Sequence, residues 1–191
     1  MCSSDLAAAA AEVLAGLPID RVIASPLRRC METATIATQH HGLEIEQRAD
    51  LREIEPGHLR NIPAESIREV FVGAFSAAPT SETRFLGGET FGSMLGRVLP
   101  AFDALLADPG WKQMVVVAHG AVNRGILTRA LGSGLAGFGA IEQDACCINV
   151  LDFDGAGRAV VRLVNFTPYN PAKVGLELTT MERLFLQYRP G

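Results

Sequence analysis

The sequence predicts an α/β protein, a three-layer sandwich built around a mostly parallel central sheet. Three observations predict this class. Short apolar runs of strand length, such as 114–118, alternate with segments whose apolar residues recur at helical spacing. Strands that alternate with helices in this way indicate parallel pairing. Two further strand-like runs flank Asp154-Gly155, which predicts a hairpin and therefore an antiparallel piece near the C-terminal end.

The elements of the first half follow from apolar spacing and from turn residues. In order, we predict a helix over 6–17, a buried strand at 21–24, a helix over 25–42, a strand at 44–48 and a loop over 51–61. Ser25 is a good N-cap and Pro26 fits a first helical turn, so the second helix is expected to begin there. Gly42 is expected to end it.

The second half continues the alternation. In order, we predict a helix from 63 to about 75, a loop over 79–88, a helix over 90–107, a buried strand at 114–118, a helix over 121–131 and hairpin strands at 146–153 and 158–166. Pro100 is expected to kink the helix that contains it. Thr179 and Glu182 form a capping box ahead of Leu184, Phe185 and Tyr188, which predicts a short last helix.

Composition and charge exclude several classes of protein. Of the 191 residues, 48% are hydrophobic and 20% are charged, which is typical of a globular chain and not of a disordered one. The net charge is −4 with no basic block, so we expect no nucleic-acid partner and no membrane partner. The four cysteines show no CxxC spacing, which predicts free thiols and a cytoplasmic location.

Three polar residues stand at or just after the ends of predicted strands. Arg29 lies in the first turn after the first strand, Glu53 follows the second, and His119 follows the third. Because the carboxyl ends of parallel strands share one edge of a sheet, we expect the three residues to converge. Taken singly, each has a plainer interpretation: a solvated arginine, an exposed glutamate and a capped helix start.

The three residues together suit a phosphate group. Arg29 offers a planar fork of donors for phosphate oxygens, and the helices predicted after Ser25 and His119 direct backbone N–H groups at the same edge. His119 can donate to a phosphoryl oxygen, and Glu53 can protonate a leaving alkoxide and later take a proton from water. No Walker loop, HExxH motif or G-x-S-x-G elbow occurs in the chain. The residues therefore predict phosphoryl transfer without a metal and without a cofactor.

Four motifs stand in a fixed order along the chain: SPLRRCMETA (25–34), LREIEPG (51–57), GGET (87–90) and VVVAHG (115–120). They resemble the motifs of the histidine phosphatases, the phosphoglycerate mutase-like superfamily, over residues 7 to about 166. The resemblance implies a phosphoglycerate mutase-like fold. It also implies that Arg29 is the phosphate-pocket arginine, Glu53 the proton donor, and His119 with Gly120 the second phosphate-binding motif. The nucleophile would be a further histidine, in an Arg-His-Gly motif on the family's first strand.

One part of the family pattern is absent. Arg-His-Gly does not occur, and His40, His41 and His58 do not stand in such a motif. MCSSDL (1–6) matches the translation of a common sequencing adapter, GTG-TGC-TCT-TCC-GAT-CT, so we expect non-native sequence up to about Ala7 and a missing first strand. A genuine, divergent start of the protein is the alternative. The resemblance puts that strand beside 114–118, where we expect a gap or a substitute strand. The chain as written is expected to be inactive and poorly stable.

These features favour a metal-independent phosphomonoester hydrolase that acts through a phosphohistidine, with the nucleophilic histidine absent from this chain. GHLRN (57–61) replaces the family's G-x-W-E-G, and the long mutase-type insertion before GGET is missing, so hydrolysis is favoured. Two alternatives stay open: a phosphoglycerate mutase-type phosphotransferase and a catalytically dead phosphate-binding protein. We expect one domain over 1–191, with 167–191 as a C-terminal extension, a small phosphorylated substrate, and a homodimer as an open alternative.

Overall fold

The computed structural model describes residues 3–76, 79–155 and 157–187 of the chain. Its helices are α1 (Ser3–Leu14), α2 (Arg28–Ala37), α3 (Ile67–Ser76), α4 (Phe91–Ala107), α5 (Gly120–Ala130) and α6 (Thr180–Gln187). Its strands are β1 (Arg21–Ala24), β2 (Ile45–Gln47), β3 (Met114–Val117), β4 (Ile148–Phe153) and β5 (Ala159–Phe166). Short 3₁₀ turns cover 49–51, 59–61, 64–66, 85–87 and 134–140.

A three-stranded parallel sheet in the order β2-β1-β3 lies at the centre. In the middle strand, Val22 pairs with Ile45 on one side and with Val115 on the other. The β-branched residues of β1 and β3 are typical of parallel strands that are covered by helices. Ala24 pairs with Val117, so β1 and β3 end level and release the chain at the same edge of the sheet.

Helices cover both faces of this sheet. On one face, Val22 and Ala24 of β1 cluster with Ala34 of α2, and α1 packs beside α2. On the other face, Ile23 belongs to the large core cluster of α4 and α5, in which Val98 is fully buried. Successive residues of a strand point to opposite faces, so this single strand supplies both layers. The predicted three-layer α/β architecture is confirmed, and β4 and β5 form the predicted antiparallel hairpin.

β3 lies at the edge of the sheet. Among the described residues its second edge pairs with no strand, and β4–β5 forms a separate two-stranded sheet. All four residues of β3 are half-exposed, whereas Val22, Ile23 and Ala24 of β1 are fully buried. The strand predicted at 114–118 is therefore present, but it is less buried than predicted. Only one of its two edges is covered by a neighbouring strand among the described residues. The missing first strand expected beside 114–118 stays a prediction.

The boundaries of α2 differ from the prediction for local reasons. The helix begins at Arg28, with Leu27 in the N-cap position, so Ser25 and the proline after it precede the helix. The Ser25 hydroxyl accepts Leu27 N–H at 3.4 Å, which makes a tight turn and not a helix cap. The helix ends at Ala37, ahead of Gly42, whose φ is 64°.

The last helix has the predicted capping box. Thr179 N–H donates to Glu182 Oε2 at 2.8 Å, and Glu182 N–H donates back to Thr179 Oγ1 at 3.2 Å. Phe185 packs against the main core, while Leu184 is largely exposed, and Tyr188 lies outside the described residues. Pro100 lies within α4, which is one helix from Phe91 to Ala107.

Candidate active site

The level ends of β1 and β3 carry Ser25 and His119. Ser25 N–H donates to Val117 O at 3.0 Å, which extends the ladder by one residue. His119 stands two residues beyond Val117 in an extended conformation, φ −131°, and is the N-cap residue of α5. Its side chain makes no capping hydrogen bond, because the ring turns back to Ser25.

Both ring nitrogens of His119 are engaged. Nε2 lies 2.8 Å from Ser25 Oγ, and Nδ1 lies 3.0 Å from Nη2 of Arg29. A guanidinium can only donate, so Nδ1 accepts this hydrogen bond and carries no proton. Neutral His119 therefore holds its proton on Nε2 and donates it to Ser25 Oγ.

The surroundings of His119 keep the ring uncharged. The residue is 6% exposed. Desolvation, together with the positive charges of Arg29 and Arg97, lowers the pKa of His119 from 6.5 to about 4. At neutral pH the imidazole is therefore a neutral hydrogen-bonding group and not a cation.

Arg29 is the exposed member of the site. It lies in the first turn of α2 and reaches across the strand ends to His119 through Nη2. Its Nε and Nη1 groups have no hydrogen-bond partner among the described residues. These donors are available to an anion that approaches from solvent, and a guanidinium binds phosphate oxygens two at a time.

Glu53 is placed by the loop between β2 and α3. Its Oε1 accepts Ile54 N–H at 3.1 Å, and its Oε2 accepts Ala121 N–H at 3.5 Å, which sets the carboxyl at the N-terminus of α5. Burial raises the pKa of Glu53. The backbone N–H groups of Ile54, Ala121 and Val122 and the charge of Arg29 offset that effect only in part. The carboxyl therefore keeps its proton to higher pH than an exposed glutamate does.

The structure places the predicted site residues at one edge of the sheet. Arg29 contacts His119, and Glu53 contacts the first turn of α5, of which Gly120 is the first residue. A guanidinium, a neutral imidazole and a helix N-terminus meet there, beside a carboxyl whose pKa is raised by burial. This is an arrangement suited to an oxyanion that needs a proton donor close by.

Three neighbours of the site carry no clear signal in the sequence. Ser25 resembles a helix cap, although it bonds His119. Cys30 follows the arginine pair, and its Sγ lies 3.1 Å from Ala118 O and 3.5 Å from His119 Nε2. Burial raises the pKa of Cys30 to about 11, so it stays a thiol. Arg97 donates a hydrogen bond to the backbone of Glu53, more than 40 residues earlier in the chain, and residue spacing in the sequence does not predict contacts over such separations.

The three other histidines make no hydrogen bond to these site residues within the described parts of the chain. Within the same parts, no group of three or more His, Cys, Asp or Glu side chains is arranged to hold a metal ion. In the ranges 3–76, 79–155 and 157–187, none of the helices combines the length and the apolar character needed to cross a membrane.

Comparison with known families decides what the chain is related to. The family model of the histidine phosphatase superfamily (branch 1) matches residues 4–166. The chain belongs to the histidine phosphatase superfamily. The match includes all four motifs, so the resemblance seen in the sequence is confirmed.

One curated relative is the wheat (Triticum aestivum) protein named 2-carboxy-D-arabinitol-1-phosphatase, which is 28% identical over 159 residues. The aligned part covers 80% of this chain and 32% of the wheat protein. The chain thus spans about a third of the length of such curated relatives.

Two solved structures of histidine phosphatases share the fold. The alpha-ribazole phosphatase from Shigella flexneri has a TM-score of 0.71 at 20% identity, covering 85% of this chain and 81% of its own. A mycobacterial glucosyl-3-phosphoglycerate phosphatase, solved with inorganic phosphate, has a TM-score of 0.69 at 22% identity, covering 86% of each chain. The predicted phosphoglycerate mutase-like fold is confirmed.

Proposed function

We propose that this protein is a metal-independent phosphomonoester hydrolase that works through a phosphohistidine. The observation that carries the proposal is the contact of Arg29 with His119 at the N-terminus of α5, with Glu53 bonded to the same helix end. The relatives named above are phosphatases of small phosphorylated compounds, which supports a substrate of that class. The proposal includes one domain over 1–191 and a cytoplasmic location.

In this proposal Arg29, His119 and Gly120 hold the phosphoryl group. Nε and Nη1 of Arg29, which bond no other described residue, take two phosphoryl oxygens, and the N–H groups at the start of α5 take another. His119 is neutral, so its Nε2–H, now given to Ser25, is a donor that adds no charge to the site. Preorganised donors of this kind are each worth roughly 10²–10³ in rate.

Glu53 is the proposed proton donor. In the first step a histidine nitrogen forms a bond to phosphorus while the ester P–O bond breaks, and Glu53 gives its proton to the leaving oxygen. In the second step a water oxygen attacks phosphorus, Glu53 takes the proton of that water, and the N–P bond breaks to release inorganic phosphate. The raised pKa of Glu53 supports the first of these roles.

The attacking histidine, in our proposal, is not one of these 191 residues. His119 accepts from Arg29 on Nδ1 and carries its proton on Nε2, so neither ring nitrogen has a lone pair left for phosphorus. The chain holds no Arg-His-Gly. In the part of the chain that the structure describes, no strand pairs with the second edge of β3, which ends two residues before His119, and in our proposal a strand that carries the nucleophile pairs there. The same engagement of His119 favours a second candidate, a phosphate-binding protein without catalysis.

Two measurements test the proposal. Isothermal titration with orthovanadate is expected to show binding to residues 1–191, and Arg29→Ala should weaken it by roughly tenfold or more, as for a lost hydrogen bond to a charged group. Hydrolysis of p-nitrophenyl phosphate is then compared between residues 1–191 and a form in which a relative's first strand with Arg-His-Gly precedes Ala7.

Turnover by the grafted form alone is the expected result. Equal turnover by both forms contradicts the assignment of the nucleophile. Vanadate binding without turnover by either form supports the non-catalytic alternative. Failure of both forms to bind vanadate overturns the phosphate site itself.

A further inference from the structure

The GGET motif has no role in the mechanism proposed above, yet its residues pack directly against the loop that carries Glu53. We propose that Glu89 of this motif and Arg97 of α4 form a clamp that positions Glu53. Both are positioning residues, since they act on the glutamate and not on the substrate. The inference rests on the proposed function in one respect only, the assignment of Glu53 as the proton donor.

Arg97 uses all five of its N–H donors on this loop and on Glu89. Nη1 donates to the carbonyl oxygens of Asp50 and Arg52, both at 2.7 Å. Nη2 donates to the carbonyl oxygen of Glu53 itself at 3.1 Å and to Glu89 Oε2 at 3.0 Å, and Nε donates to Glu89 Oε1 at 3.1 Å. One rigid, planar group thus holds three carbonyl groups of this loop.

Glu89 holds the other side of the same loop. Its Oε2 accepts Glu55 N–H at 3.0 Å, and its own N–H donates to Glu55 O at 2.8 Å. The side chain is 15% exposed. Burial acts to raise the pKa of Glu89, but the hydrogen bonds from Arg97 and Glu55 outweigh it and hold the pKa below its ordinary value. The carboxylate therefore stays ionised as the partner of Arg97.

The glycines of the two motifs allow this close approach. A Cβ on Gly88 would overlap the carbonyl oxygen of Glu55 and the backbone nitrogen of Gly57. A Cβ on Gly57 would lie 2.7 Å from the carbonyl carbon of Gly87, which is shorter than real Cβ contacts. Backbone meets backbone here without side chains between, so Glu89 is near enough to bond Glu55 directly.

The loop needs such a clamp because it belongs to no sheet. Residues 52–58 have no regular secondary structure, so their carbonyl groups have no ladder partners. Leu51 and Ile54 are buried and anchor the loop from below, on either side of Glu53. Arg97 satisfies the carbonyls between these anchors, and together they fix the backbone from which the Glu53 carboxyl reaches Ala121.

The test uses the 191-residue chain itself and readouts that do not require turnover. The variant is Arg97→Lys, which keeps the charge but cannot span three carbonyls and a carboxylate. We expect hydrogen exchange of the amides of 50–55 to rise by roughly tenfold or more, because charge-assisted hydrogen bonds of the loop are lost. Carbon-13 NMR of the Glu53 carboxyl should show a pKa that falls toward the ordinary glutamate value, because the loosened loop admits water.

Arg21→Lys is the matched control. Arg21 also bonds two acidic side chains, Glu46 and Asp108, but at the opposite end of β1 from the site. This variant is expected to leave the exchange of 50–55 and the titration of Glu53 unchanged. Glu89→Gln removes the ion pair with a smaller change in shape, and it should move both readouts in the same direction if Arg97→Lys fails to fold.

Unchanged exchange and unchanged Glu53 titration in a folded Arg97→Lys or Glu89→Gln protein overturn the clamp. Equal effects of Arg21→Lys overturn it too, since they would show a response to general loss of stability. These outcomes are independent of the proposed function, which fails separately if neither form of the protein binds vanadate. If the clamp variants change the exchange of 50–55 and the titration of Glu53 while neither form binds vanadate, Glu53 is positioned for a purpose other than phosphate chemistry.

Discussion

Lowering the pH from 7 to 5 is expected to destabilise this protein through His119. The ring is packed against Ser25 and Cys30 and faces the positive charges of Arg29 and Arg97, so the folded protein resists its protonation. The pKa of His119 is about 4 in the folded protein, against 6.5 for an ordinary histidine. The unfolded chain therefore takes up a proton on this ring at a higher pH than the folded protein does.

The size of the effect follows from these two pKa values. Stability is fully present above pH 6.5 and is lost as the pH falls from there toward 4, because only the unfolded state binds the proton in that window. At 1.36 kcal/mol for each pKa unit, the loss between pH 7 and pH 5 is about 2 kcal/mol. Such a loss is a large fraction of a typical stability of about 5–15 kcal/mol.

The assay is urea denaturation of the wild type and of His119→Gln at pH 7, 6 and 5. Glutamine offers an N–H for Ser25 and an oxygen for Arg29 but does not titrate, so all other ionisable groups cancel in the difference. Between pH 7 and pH 5 the free energy of unfolding of the wild type should fall by about 2 kcal/mol relative to that of His119→Gln. His119→Asn serves as a second non-titrating variant.

A difference that stays constant from pH 7 to pH 5 would refute the reasoning. It would mean that the ring titrates near its ordinary pKa and so is neither desolvated nor held neutral by Arg29. Nitrogen-15 NMR of the histidine rings checks the same point directly. The spectrum of His119 should be that of a neutral imidazole with its proton on Nε2 at pH 6.

Three further predictions concern chemistry and packing. In the form with a grafted Arg-His-Gly strand, Glu53→Gln should reduce the turnover of an alkyl phosphate by roughly 10²–10⁴. The turnover of p-nitrophenyl phosphate should fall less, because nitrophenolate leaves without a proton. Equal losses on both substrates would contradict the role of Glu53 as an acid. Arg29→Ala should reduce both turnovers by a similar factor in the same steady-state assay, since it serves the phosphoryl group, and a loss confined to one substrate would count against that role. Phe91→Ala should lower the free energy of unfolding, measured by urea denaturation, by about 3–5 kcal/mol. Phe91 is fully buried, and the centroid of its ring lies 5.0 Å from that of Phe138. Val160→Ala is the control that should change little, because Val160 is 38% exposed.

The sequence predicted the element order because local patterns carried it. Apolar spacing and turn residues located the central strands to within a residue or two, and the capping box at Thr179 and Glu182 is present as predicted. The rule that parallel strands end at one edge was enough to expect Arg29 near His119, and the two are in contact. The prediction failed at Ser25, because a serine before a proline suits a helix cap as well as a tight turn.

Spacing could not show the groups that act across the fold. Arg97 and Asp50 are 47 residues apart in the sequence, and no local pattern around either residue predicts the hydrogen bond between them. The half-exposed state of β3 was also out of reach, because an apolar run looks the same whether a strand has one neighbour or two.

The sequence by itself determined the family, the alternation of strands and helices, and the edge of the sheet at which the polar residues gather. These follow from residue types and their order, which fix local conformation and the direction of parallel strands. Only the tertiary structure decided the chemical state of the site: that His119 is neutral with its proton on Nε2, that burial raises the pKa of Glu53, and that Arg97 bonds the backbone of the Glu53 loop. Protonation and positioning depend on burial and on the distances between charges, and those exist only once distant segments have packed together.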